Sequence, residues 1–414
     1  MVQFNFPANY QYRDDIIAGL TVGAITIPQG MAFALLGGLP PIYGLYGSLF
    51  PLVVYALLGT SNYLNLGPVS VISIFVYTTL VPFVTPFTAE YINAVIILGL
   101  MIGAIQCLGG LLQWGKYFDY IPKSVVSGFV QAAAVVIMVS QIPPAFQLEI
   151  PQQLNYIEKI YFLLLHFGET HFLTALFFIT ALLLLFLLPR FFPKFPTAIV
   201  LLTLTGVAAY AFNLEEEGIV LIGEVPQGLP VFLWPEWNSS AWNYLPGAFG
   251  IAFVTTVGSF VMAKSVADRQ PKAWNANRDM VALGAAKMMS AFFGSLVPAG
   301  SFNRSILNLK SGAKTQLSSL VAALVVLFTL LFLTPIVYYL PQSVIAAIIV
   351  YSVYYLLDFP LVKSLWKTDR KQAVYLLFTF LGTLTLGFVQ GIVVGLLTSF
   401  VGNRIFKTKK PSSF

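Results

Sequence analysis

Charge is what this chain has least of. Only 9% of its 414 residues are Asp, Glu, Lys or Arg, whereas 58% are hydrophobic. A soluble domain carries about 25% charged residues, so a water-soluble fold is excluded and a polytopic membrane protein is implied. The single cysteine, Cys107, rules out an intramolecular disulfide. The two histidines, His166 and His171, fall in one connection with no metal-ligand partners. No Walker motif, zinc spacing or Ser/His/Asp set is present, so neither an enzyme nor a cofactor is expected. The long apolar runs lack the alternation of an outer-membrane barrel, so the spans are helical. Met1–Tyr12 is polar and aromatic, unlike a secretory leader.

The few charges are sorted by side. Arg13, Lys116, Lys123, Arg190, Lys264, Arg278, Lys310, Lys314, Lys363, Lys367, Arg370 and Arg404 fall in one alternating set of connections and ends. The other set has Lys159 as its only basic residue, with Glu90, Glu149, Glu169, Glu215, Glu216, Glu217 and Glu236. The positive-inside rule assigns the first set, and both termini, to the cytoplasm. A net charge of +6 distributed this way points to a bilayer and not to nucleic acid.

Apolar runs read against helix breakers give about fourteen segments: 15–36, 41–59, 68–80, 92–113, 123–142, 172–189, 195–212, 246–264, 280–297, 301–311, 315–335, 342–357, 371–386 and 388–405. Gln152–Phe167 reads as an interfacial helix on the outer face. The chain then divides into a cytoplasmic start (1–14), a first repeat (15–212), an extracellular linker (213–245), a second repeat (246–405) and a cytoplasmic end (406–414). Each repeat has seven spans, and an odd number inverts the second copy. The third span of each is short: Pro68 opens one, and Pro298-Ala299-Gly300 precedes the other. About 20 residues are needed to cross a bilayer, so spans 3 and 10 are half-helices. Paired broken segments in inverted halves mark a transporter binding site. The stretch Ser301-Phe302-Asn303-Arg304 adds polar groups and a full positive charge to a helix start that already carries about +0.5. These residues point to an anion site within the membrane.

Several motifs resemble the SulP anion transporter family, which includes sulfate permeases, bicarbonate transporters, multi-anion exchangers and prestin. They are Pro28-Gln29-Gly30-Met31-Ala32-Phe33, Gly38-Leu39-Pro40-Pro41-Ile42-Tyr43-Gly44-Leu45-Tyr46-Gly47-Ser48, Leu66-Gly67-Pro68, Met262-Ala263-Lys264 and Gly312-Ala313-Lys314-Thr315-Gln316-Leu317. The resemblance implies an all-α seven-plus-seven inverted repeat, core and gate domains, elevator-like motion and a homodimer. It also implies an anion site between spans 3 and 10. Gln29 and Phe33 of span 1, Val69 and Ser70 of span 3, and Ser301, Phe302, Asn303 and Arg304 of span 10 are the binding residues on this reading. Thr255, Gly258 and Ser259 of span 8 are possible lining. Many bacterial members carry an acid in span 8, whereas this chain has Gly258 or a neighbour there. Most members continue into a cytoplasmic STAS domain, and the chain ends at Phe414 before one could form.

The expected function is transport of sulfate, bicarbonate, chloride or a dicarboxylate across the plasma (bacterial inner) membrane by exchange or uniport. No carboxylate was found inside any span, so obligatory proton or sodium coupling is not expected. A coupled symporter, a nucleobase permease of the same fold and an anion channel are the alternatives. Lys287 is expected to snorkel toward the inner surface.

Overall fold

Residues 11–120, 122–148, 156–191, 197–223, 227–265 and 274–405 are described by a computed structural model of the chain. The apolar runs form helices: α1 (Tyr12–Leu36), α2 (Ile42–Leu58), α3 (Ser70–Leu80), α4 (Ala89–Leu111), α5 (Lys123–Ser140), α6 (Ile142–Phe146), α7 (Tyr156–Leu165), α8 (Phe172–Phe191) and α9 (Thr197–Ala211). They continue as α10 (Leu245–Ser265), α11 (Ala276–Ala291), α12 (Phe302–Lys310), α13 (Leu317–Phe328), α14 (Thr334–Val337), α15 (Gln342–Tyr354), α16 (Phe359–Thr368), α17 (Arg370–Leu386) and α18 (Phe388–Ile405). Two strands, β1 (Leu66–Gly67) and β2 (Ala299–Gly300), complete the set. The protein is an all-α polytopic membrane protein. The terminal stretches 1–10 and 406–414 lie outside the described residues, as does the start of the interfacial segment expected at Gln152–Phe167.

Four sequence expectations need correction. The ninth apolar run does not stay helical to 297. Phe293 and Gly294 donate back to the Ser290 and Ala291 carbonyls, and Gly294 turns the chain at φ 67°. The eleventh run is interrupted by a π-helical turn at Thr329–Leu333. Residues 359–368, read as a plain connection, form α16. Carboxylates do occur within helices: Asp15 in α1 and Asp279 in the first turn of α11 are both fully buried.

Two groups of helices pack side by side. In one, α4 lies along α11, α1 along α13 and α2, and α10 along α4; in the other, α17 lies along α18 and α5, and α15 along α8. Glycine permits the tightest crossing: a Cβ on Gly44 would sit 1.9 Å from the Gly30 carbonyl oxygen. That contact fixes α1 against α2, and with it the direction of Gln29 and Phe33. The α4–α11 crossing is similarly close, with Gly284 backed onto the Gly103 carbonyl. This packing encloses Lys287, which is 1% exposed and has an unpartnered Nζ. It does not snorkel.

The buried acids fasten loops rather than line a site. Asp15 accepts from the Lys314 and Thr315 N–H groups at 2.7 and 3.1 Å and from the Thr315 hydroxyl at 2.6 Å. Asp279 accepts from Tyr55 Oη (2.7 Å), Trp274 Nε1 (2.6 Å), and the Thr60 N–H (2.6 Å) and hydroxyl (2.7 Å). A buried carboxylate is tolerated when hydrogen bonds replace its hydration. Both acids hold the connections that lead into β1 and out of α12.

Candidate anion-binding site

β1 and β2 pair antiparallel, Leu66 with Gly300 and Gly67 with Ala299. Each strand runs within a few residues into a short helix, β1 into α3 and β2 into α12. The 11 residues of α3 and the 9 of α12 are too few to cross a bilayer. Val69, extended at φ −136° and ψ 132°, is the N-cap of α3 and supplies no side-chain cap. Ser301 is the N-cap of α12, and its hydroxyl accepts the Arg304 N–H at 3.4 Å. The first N–H groups of each helix have no acceptor within the helix. They converge on one cavity of about 230 Å³, lined by Val69–Ile72 on one side and Ala299, Gly300, Ser301 and Asn303 on the other.

The same cavity is lined by Gln29 and Phe33 from α1, Val125, Val126, Phe129 and Val130 from α5, and Thr255 and Gly258 from α10. Among the described residues, none that lines it is ionisable. Gln29 has no side-chain hydrogen bond among the described residues, which leaves its amide free to face the cavity. Nothing lies within 4 Å of a Cβ placed on Gly258, so any side chain there would project into open space. Of the expected site residues, Gln29, Phe33, Val69, Ser70, Ser301, Asn303, Thr255 and Gly258 therefore meet at one cavity. Phe302 is the first residue of α12, and its side chain is outside the described set.

Two expected residues stand behind this wall instead. Ser259 Oγ accepts the Gly300 N–H at 3.2 Å and donates to the Thr255 carbonyl at 2.6 Å, so it ties β2 to α10. Arg304 does not line the cavity. It is 1% exposed, and a Cβ on Gly67 would lie 2.8 Å from its Nη2, so the guanidinium lies against β1. Nε donates to Asn65 Oδ1 at 3.1 Å, and Nη1 and Nη2 have no partner. An arginine at the bilayer centre costs about 2.5–3.5 kcal/mol on insertion scales, and among the described residues no carboxylate pairs with it.

Sequence reasoning missed Asn65 and Gln106. Asn65 accepts the Ser301 N–H at its carbonyl (3.0 Å), donates its N–H to Ser305 Oγ (2.9 Å) and holds Arg304 through its side chain. Gln106 of α4 donates to Thr255 Oγ1 (2.9 Å) and Thr256 Oγ1 (2.8 Å), which fixes the Thr255 side chain from behind α10. A lone amide in an apolar run was the available signal for Gln106, as it was for Gln29, whereas Asn65 lies in a polar connection and carries no such signal.

A second, larger space of about 1510 Å³ lies toward the opposite ends of the helices, lined by Tyr77 and Thr78 of α3, Ser140 of α5, Gln141, Gln342 of α15 and Thr385 of α17. Along α3 and α5, Ile72 and Phe129 line the smaller space and Ile74 and Val136 the larger one. The Phe75 and Phe129 rings, both 2% exposed, lie 6.4 Å apart beside the smaller space.

Residues 12–379 match the family model described as the sulfate permease family. The chain belongs to that family. It is 34% identical over 394 residues to the chloroplastic sulfate transporter 4.1 of Arabidopsis thaliana, covering 93% of this chain and 57% of the relative. It is 32% identical over 427 residues to the sodium-independent sulfate anion transporter of Bos taurus, covering 94% and 69%. The chain thus spans a little over half the length of the plant relative. Its fold superposes on the murine Solute Carrier 26 family member A9 anion transporter in the inward-facing state with a TM-score of 0.89 at 26% identity, covering 98% of this chain and 70% of that one. The transmembrane domain of the cyanobacterial bicarbonate transporter BicA matches with a TM-score of 0.81 at 21% identity, covering 96% and 100%.

Proposed function

We propose that this sulfate permease family member carries small anions across the plasma membrane by exchange or uniport. The observation that carries this reading is the pairing of an uncharged cavity at two opposed helix starts with a buried, unneutralised guanidinium behind it. An anion in that cavity gains hydrogen bonds from free backbone N–H groups and the positive ends of two helix dipoles. Gln29, Ser70, Ser301 and Asn303 add polar contacts, Phe33 shapes the wall, and Arg304 raises the potential without touching the ligand. Sulfate, bicarbonate, chloride and small dicarboxylates are the candidate cargoes.

Exposure of the cavity alternately to each side, by sliding of the α3–α12 group past the α5–α17 group, is the transport step we infer. The buried Phe75 and Phe129 rings beside the cavity favour a carrier over a continuous pore. Among the described residues no Asp or Glu lines the cavity, which favours transport without obligatory proton or sodium coupling and disfavours a nucleobase site built on acids. A homodimer with both termini cytoplasmic completes the proposal.

The test is uptake into liposomes of labelled sulfate, bicarbonate, chloride and fumarate. Saturable uptake of at least one anion, stimulated by a counter-anion and indifferent to pH or sodium gradients, is expected. Strict dependence on either gradient would overturn the coupling assignment, and unitary currents would overturn the carrier.

A further inference from the structure

We propose that α16 is a lipid-binding element that docks anionic phospholipid headgroups at the membrane boundary. The proposal is independent of which anion the carrier moves. α16 contains no buried residue. Phe359, Val362 and Trp366 are spaced i, i+3 and i+7, which places them on one face of the helix. Phe359 is 63% and Trp366 44% exposed. Lys363 and Lys367, one turn apart, form a basic stripe beside this apolar one, and Arg370 follows at the start of α17. All three basic side chains are exposed. None has a hydrogen bond or ion pair among the described residues.

The acids that flank the helix do not answer these charges directly. Asp358 Oδ1 accepts the Leu361 N–H at 2.9 Å, and Asp369 Oδ1 accepts the Lys371 and Gln372 N–H groups at 3.2 Å each. Both are occupied as helix caps. The level of α16 is fixed by its neighbours, since it joins the end of the apolar helix α15 to the start of α17. Exposed Tyr354 and Tyr355 at the end of α15 pack edge-on with Phe186 and Tyr351, an aromatic cluster of the kind that sits at headgroup depth. An apolar stripe with basic residues beside it, held at that depth, matches an anionic lipid surface. Each basic residue near such a surface contributes about 1 kcal/mol, or roughly fivefold in affinity, before salt screening. An anchored α16 would hold the α5–α17 group still in the bilayer while the other helix group moves.

The test uses the full chain in lipid nanodiscs and reads quenching of Trp366 by brominated lipids, isolated by subtracting the signal of Trp366→Phe. Brominated phosphatidylglycerol is expected to quench at several-fold lower mole fraction than brominated phosphatidylcholine. The triple variant Lys363→Gln, Lys367→Gln, Arg370→Gln should lose that preference, so that the two lipids quench at about the same mole fraction. Lys363→Arg, Lys367→Arg, Arg370→Lys should keep it, which separates charge from folding. Equal quenching by the two lipids, or a preference that survives the glutamine variant, would overturn the proposal. Displacement by millimolar glycerol phosphate would also overturn it, by showing a site for soluble phosphate in place of a membrane surface.

Discussion

The two short helices that meet at the cavity, α3 and α12, are built from opposite materials. α3 reads Ser-Val-Ile-Ser-Ile-Phe-Val-Tyr-Thr-Thr-Leu, has no charged residue and starts from an uncapped valine. α12 reads Phe-Asn-Arg-Ser-Ile-Leu-Asn-Leu-Lys, is capped by Ser301 and buries an arginine in its first turn. Each brings backbone N–H groups to the cavity, all three of the first turn uncapped in α3 and one taken by Ser301 in α12. What also differs is what stands behind them, an apolar core for α3 and a network of Asn65, Ser305 and Arg304 for α12. The comparison teaches that attraction for an anion and a definite shape for its cavity can come from different halves of one site.

The largest break in this comparison is removal of the charge on the α12 side. Arg304→Met should lower anion uptake at subsaturating substrate by about tenfold or more, on the scale of a lost charged interaction. The same variant should keep or raise the thermal unfolding midpoint, because replacing a buried unpaired charge by an apolar side chain removes a desolvation cost. A fall in both uptake and midpoint would make Arg304 a structural residue.

Filling the space between the two helices comes next. Gly258→Leu meets no atom within 4 Å of its Cβ, so it should fold normally yet reduce uptake about fivefold or more by occupying volume the anion needs, on the scale of about 1–3 kcal/mol per mismatch in a pocket. Unaltered uptake would move the site away from this cavity. Gly67→Ala should have a smaller effect on uptake but should also lower the thermal midpoint, since Gly67 sits at φ 158°, where side chains are strained, and its Cβ would press on the end of the Arg304 side chain and displace its charge. Loss of about 1 kcal/mol in apparent affinity, typical of tight core insertions, would be read as a shift in half-saturation.

The smallest effects come from exchanging the caps. Ser301→Ala should destabilise by about 1 kcal/mol, and Val69→Ser, which gives α3 the kind of cap α12 has, should stabilise by up to a similar amount. Thermal midpoints of the two variants would move in opposite directions if the two starts differ in capping as described.

Much of this was legible in the residues. The breakers Pro68 and Pro298–Gly300 located both short helices, and a lone arginine one turn into α12 drew attention because membrane insertion makes such a residue costly. Gln29 and Phe33 were legible through motifs, and they meet the cavity where the motifs implied. Asn65 was not legible, since its role depends on lying opposite Ser301, a partner more than two hundred residues away. Arg304 was expected among the binding residues, and the strand pairing places Gly67 and Asn65 around its guanidinium. Asp279 escaped notice because the start of α11 was read four residues late.

Hydropathy, helix breakers and charge placement by themselves determined that the chain lives in a bilayer as helices, and which two of them are cut short. These are local properties, set by the cost of burying a peptide group or a charge in hydrocarbon. Only the tertiary structure decided which side chains face the cavity and which stand behind it. That choice depends on the β1–β2 register and on the glycine contacts that set helix crossings, and neither is recorded in any one stretch of sequence.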